Sequence, residues 1–92
     1  MVTLKTNKGT THRANYILSS NMNPDGVVIS LEGDERKISK IAADFEGCAE
    51  IRAVNDNKPR VTELYDGYTE LDGAQRLDSG SVRLTLSKPR KP

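Results

Sequence analysis

Residues 34–47 read "DERKISKIAADFEG", and this stretch decides the fold. Its apolar residues recur at the i, i+3, i+4 and i+7 spacing of a buried helical stripe, at Ile38, Ile41, Ala42 and Phe45. We predict a helix over residues 35–46, with Asp34 capping its first amides and Gly47 adopting the left-handed conformation that ends it. No second stretch has this period, so the stripe must cover a sheet.

Period-2 alternation, typical of strands, flanks the helix on both sides. The residues expected to face the core are Val2 and Leu4; Ala14, Tyr16 and Leu18; Val27, Ile29 and Leu31; Ala49, Ile51 and Ala53; and Val82, Leu84 and Leu86. We therefore predict an α+β fold, a mostly antiparallel sheet of about six strands with one helix packed across one face. Residues 1–87 form a single domain, and residues 88–92, "KPRKP", form a basic, proline-rich tail that cannot extend a sheet.

The charges are unevenly distributed along the 92 residues, although the net charge is only +1. Residues 1–24 and 79–92 contain basic residues and no acid, whereas all thirteen acids lie between Asp25 and Asp78. This layout suits the docking of an anion or head-to-tail association. No stretch approaches the roughly 20 apolar residues needed to span a bilayer, so we expect a cytoplasmic protein.

The single histidine and single cysteine give no catalytic or zinc-binding pattern. His12 lies beside a hairpin turn and is expected to be exposed, and Cys48 is expected to be a small buried apolar residue. "GDERK", residues 33–37, lacks the second glycine and the Lys-Ser/Thr pair of a phosphate loop. The sequence predicts a non-enzymatic protein without cofactor or metal.

The acidic stretch "VTELYDGYTELDG", residues 61–73, does not fit a calcium loop, because Leu71 and Leu77 stand where an EF-hand starting at Asp66 needs its glycine and its glutamate. Alternation scatters its carboxylates over both faces of the strands. Asp66-Gly67 and Asp72-Gly73 are typical of tight turns and bulges. The rings of Tyr65 and Tyr68 are candidate protein-contact residues.

The basic residues near the first turn are the candidate anion-binding group. Lys5, Lys8, His12 and Arg13, joined by Arg83 from the last strand, could contact the phosphate of a nucleotide, since charge-assisted hydrogen bonds to phosphate are strong. Weak nucleic-acid binding is a further alternative, although a pI of about 7.9 is low for that class.

The second half of the chain resembles small uncharacterised proteins encoded by phages and prophages of Gram-positive bacteria. The resemblance rests on Phe45-Glu46-Gly47 ending a helix, Ile51 in a following strand, the segment from Tyr65 to Leu71, and the closing strand from Val82 to Leu86. It implies a phage origin, a place in the host cytoplasm and a non-catalytic role, and it supplies no catalytic residue.

Two functions compete on these grounds. The first is a structural or assembly module that associates with itself, as a homo-oligomer, through sheet edges or charged faces. The second is an anti-defence inhibitor that binds a host defence protein or sequesters an anionic nucleotide signal between protomers.

Overall fold

A computed structural model describes residues 1–19, 25–32, 37–58 and 60–89. Its strands are β1 (Val2–Thr6), β2 (Thr11–Ser19), β3 (Gly26–Leu31), β4 (Glu50–Asn55), β5 (Thr62–Asp66), β6 (Glu70–Arg76) and β7 (Val82–Ser87), with helix α1 (Ile38–Phe45) between β3 and β4. All seven strands form one antiparallel sheet in the order β5-β4-β1-β2-β3-β7-β6. The predicted α+β fold is confirmed, with seven strands rather than about six.

The sheet is strongly curled. Its edge strands β5 and β6 are joined by residues 67–69 alone. Four Cα–Cα steps from Asp66 to Glu70 span at most about 14 Å, whereas the edges of a flat seven-stranded sheet lie about 29 Å apart. The two edges must therefore approach each other where β5 ends and β6 begins. There Gly47 N donates to Thr69 O and Gly67 N donates to Ala49 O, which fixes the junction against the chain that follows α1.

The core lies on the concave face of the sheet, under α1. Alternate residues of the strands point into it, and Leu4, Ile29, Leu84 and Leu86 are fully buried. On α1 the predicted stripe is confirmed, since Ile41, Ala42 and Phe45 are buried and Ile38 is half-buried. Burying one such side chain contributes roughly 1.5–3 kcal/mol.

The two ends of α1 are held differently. The helix begins at Ile38, three residues later than predicted, and its N-cap, Lys37, makes no side-chain capping bond. The predicted cap, Asp34, lies outside the described residues. At the other end Gly47 has φ 73°, as predicted. The Lys8 ammonium donates to Ala43 O at 2.8 Å and to Glu46 O, placing a cation at the negative end of the helix dipole.

A bulge in β2 overturns part of the predicted pattern. Ala14 pairs with Leu31 and Tyr16 pairs with Ser30, so the register shifts between Ala14 and Tyr16. One extra residue in a strand transfers every later side chain to the opposite face. Ile17 is consequently buried, and the prediction that Tyr16 and Leu18 face the core was wrong: Leu18 is 57% exposed.

The acidic stretch forms turns and bulges, as predicted. Gly67 has φ 85° in the β5–β6 junction, and the pairing of β6 with β7 shifts register between Leu71 and Gly73. One inner-face prediction fails after the helix, because Ala49 precedes β4 and is exposed. Lys88 and Pro89 are described, while the rest of the predicted tail, residues 90–92, lies outside the described residues.

Candidate binding groove

His12 is buried in the core and does not lie on the surface. Its side chain is 1% exposed, Nε2 lies 2.9 Å from Asp44 Oδ2, and the ring centroid lies 4.9 Å from that of Phe45. The prediction of an exposed histidine was wrong, because His12 pairs with the buried Leu4 across β1 and β2 and shares its inner face. The residue joins the sheet to α1.

The other four predicted anion contacts do not converge either. Lys8 binds the end of α1, and the Arg13 guanidinium lies 3.0 Å from Asp56 Oδ2 and 3.7 Å from Glu32 Oε2. Lys5 lies on β1, opposite Thr11 and Arg52. Arg83 lies on β7, three strands from β1 and two strands from β2 in the sheet order. Of the five predicted anion-binding residues, none lines the groove described below and Lys5 alone lines a smaller pocket beside β1 and β4, so their anion-binding role stays a prediction.

Tyr65 and Tyr68, the predicted contact residues, are brought together at the β5–β6 junction. Their ring centroids lie 6.3 Å apart, and the Lys88 ammonium lies 5.1 Å from the centre of the Tyr68 ring. The Tyr65 hydroxyl donates to Glu63 Oε2 at 2.9 Å. Burial, together with the carboxylate of Glu63, raises the pKa of Tyr65 to about 12.

A groove of about 580 Å³ lies beside residues 15–19 of β2. It is lined by Val2, Asn15, Tyr16, Ile17, Leu18, Ser19, Ala53, Asn55, Lys58, Val61, Glu63 and Tyr65. The strand lengths create it. The pairing of β1 with β2 covers Val2 to Lys5 and ends where Val2 lies opposite Ala14. β2 continues beyond that point to Ser19. Beyond Ala14, β2 pairs with β3 alone among the described strands. We call residues 15–19 the free half of β2.

Exposed apolar side chains gather at this groove. Large apolar residues that are well exposed include Tyr16 at 37%, Leu18 at 57% and Val61 at 53%, and all three line it. Leu64, also 57% exposed, lies on β5 outside the lining. Concentrated apolar exposure on a small domain is typical of an interaction surface.

The charged lining of the groove is sparse. Its two charged side chains are Lys58 and Glu63. The carboxylate of Glu63 accepts the Tyr65 hydroxyl, while no described acceptor contacts the Lys58 ammonium. The groove therefore offers apolar contacts, strand-edge backbone groups and one cation without a bound carboxylate.

The described residues contain no group of three or more His, Cys, Asp or Glu placed to hold a metal ion. The thiol of Cys48 is buried, as predicted, and donates to Asn7 Oδ1 at 3.1 Å and to Glu50 O. Among the residues that the structure describes, no helix is long and apolar enough to cross a membrane.

Among the residues that line this groove, sequence reasoning named Tyr65 as a candidate contact residue and did not so name Tyr16, Leu18, Val61 or Lys58. The first two were assigned to the core, and the groove itself depends on the curl of the sheet. Comparisons of the chain with protein-family models, curated proteins and solved structures give no match.

Proposed function

We propose that this protein is a non-catalytic binding module that holds an extended polypeptide segment in the groove, by adding it as a strand beside the free half of β2. The observation that carries the proposal is that β2 is paired on one side only beyond Ala14, carries the exposed Tyr16 and Leu18 there, and borders a groove that the exposed Val61 also lines. In such binding, main-chain hydrogen bonds supply affinity and alternate side chains supply specificity.

The distribution of charge over the sheet edges supports the choice of β2. Natural sheets protect their open edges with charged residues, bulges and prolines. The outer strand β5 carries Glu63 and Asp66, and the outer strand β6 carries a bulge and three charged residues, Glu70, Asp72 and Arg76. The free half of β2, "NYILS", contains no charge and no proline, and its bulge lies at its beginning, between Ala14 and Tyr16. Its sequence is suited to pairing.

A structural or assembly role in a phage particle is the biological setting that we propose first, because strand addition at a sheet edge is a recurring way of joining one protein chain to another. An anti-defence inhibitor that binds a host protein would use the same groove. Nucleotide sequestration and nucleic-acid binding are not favoured by the placement of Lys8, His12 and Arg13, whose polar groups contact the protein itself.

A displayed library of random peptides, selected on the pure protein, tests the proposal. We expect enrichment of extended, apolar sequences whose affinity falls at least tenfold for Leu18→Asp, a loss of about 1.4 kcal/mol. Leu64→Asp is the matched control, since Leu64 has the same exposure and lies outside the groove. Fluorescence anisotropy measures both variants. A selection without enrichment, or equal loss in the two variants, would refute the proposal.

A further inference from the structure

We infer that the groove takes one strand of another protein, which runs antiparallel to β2, is largely apolar, and presents a single acidic side chain to Lys58. This inference rests on the proposed function and adds the width, direction and charge of the ligand.

The volume of the groove sets the width of the ligand. The five residues of the free half of β2 extend about 17 Å at 3.4 Å per residue. The 580 Å³ of the groove divided by this length gives a mean cross-section of about 34 Å². A strand within packed sheets occupies about 4.8 by 10 Å, or roughly 48 Å². The groove therefore takes most of the thickness of one strand, the rest of which stays in solvent, and it has no room for a second strand beside it.

The position of β1 indicates the direction in which the bound strand runs. β1 lies between β2 and β4, antiparallel to both, and its pairing with β2 stops at Val2. The backbone of β4 turns away at the same level, where Asp56 N donates to Met1 O and Lys58 N donates to Asn55 O. The groove therefore continues the line of β1. All the pairings of this sheet are antiparallel, so we expect a segment on this line to keep the polarity of β1 and run antiparallel to β2, with its amino end near Ser19 and its carboxyl end near Met1.

The charged residues that line the groove indicate which charge the bound strand carries. The carboxylate of Glu63 keeps its charge but already accepts the hydroxyl of Tyr65 at 2.9 Å, so it has a donor within the protein. The Lys58 ammonium has no described acceptor, and it lies on the β4–β5 turn that forms the wall facing β2. Charged groups across an interface select partners by sign, and like charges are penalised. One carboxylate among apolar side chains is the complementary pattern.

Parallel selections of the same peptide library test the charge. The parent protein is expected to enrich peptides with one Asp or Glu, and Lys58→Glu is expected to enrich Lys or Arg in its place. Lys40→Glu is the control, because Lys40 is an exposed lysine on α1 outside the groove, and it should behave as the parent. The same charge preference from all three proteins would overturn the inference while leaving the proposed function standing. If the selected peptides instead bind the Leu18→Asp variant as tightly as the parent protein, the proposed function is refuted.

Disulfide capture tests the direction. In Ser19→Cys the new thiol lies at the exposed end of β2, and the native Cys48 is buried and does not compete. A selected peptide is synthesised with cysteine at either its amino or its carboxyl end. Faster capture of the amino-terminal thiol is expected for an antiparallel strand. Faster capture of the carboxyl-terminal thiol would overturn the assigned direction.

Discussion

Truncation of Phe45 to alanine should remove a large part of the stability of the domain. Phe45 is fully buried, it belongs to the only helix among the described residues, and its ring packs 4.9 Å from His12. Replacement of a buried phenylalanine by alanine costs about 3–5 kcal/mol, through lost transfer energy and the cavity left behind. A chain of 92 residues has a total unfolding free energy of roughly 5–14 kcal/mol. Between about a fifth and all of that stability is therefore at stake.

Thermal unfolding followed by circular dichroism measures the effect. At about 4–8 °C per kcal/mol for a domain of this size, Tm should fall by at least about 12 °C. Leu64→Ala is the control, since an exposed side chain changes stability by no more than about 0.5 kcal/mol. A Phe45→Ala protein that melts within about 4 °C of the parent would cost only about 1 kcal/mol and would show that α1 is not the centre of the core.

Three further predictions concern the joints around the helix and the groove. Asp44→Ala removes the carboxylate that lies 2.9 Å from the buried His12 imidazole. It should lower the unfolding free energy by about 1–3 kcal/mol in urea titrations, and Asp44→Asn should lower it less. Equal losses in the two variants would contradict the hydrogen bond between His12 and Asp44. Gly47→Ala places a side chain at φ 73° and should cost about 1–2 kcal/mol in the same assay, although nothing lies within 4 Å of the added carbon; an unchanged urea midpoint would contradict this backbone requirement. The pKa of Tyr65 is about 12 in the folded protein and about 10 in the unfolded chain. The contribution of Tyr65 to the unfolding free energy should therefore be fully present below pH 10 and decline as the pH rises from 10 to 12. Tyr65→Phe should reduce that decline, and an unaltered slope would contradict the assigned pKa.

Local patterns in the sequence predicted most of the fold. Period-2 alternation found the strands, and the stripe from Ile38 to Phe45 found the helix, because both signals are carried by neighbours in the chain. Gly47 was likewise found from its position just after the last apolar residue of the stripe. These features need no knowledge of distant contacts.

The bulge in β2 could not be predicted in the same way. Period-2 counting from Ala14 places Tyr16 and Leu18 inside, and only the pairing with β3 shows that the register shifts after Ala14. This one irregularity moves two large side chains, those of Tyr16 and Leu18, to the surface, and both residues line the groove. Sequence reasoning consequently assigned two residues of the groove to the core.

The placement of His12 depended on long-range packing, although a local signal was present. His12 lies two residues before Ala14, on the inner parity of β2, so alternation alone would have placed it inside. The nearby turn and the polar neighbours Thr10 and Thr11 favoured exposure instead. Its acceptor, Asp44, is 32 residues away, and no local pattern identifies that partner.

Residue-resolved amide hydrogen exchange, measured by NMR with and without a selected peptide, tests the strand-addition account most directly. Unpaired strand-edge amides exchange with solvent, and pairing with an added strand protects them. When the peptide is bound, we expect new protection from hydrogen exchange at the peptide-facing amides of residues 16–19. The exchange of the edge amides of β5 and β6 should not change. Protection confined to β5 or β6, or none at all in a peptide-saturated sample, would contradict it.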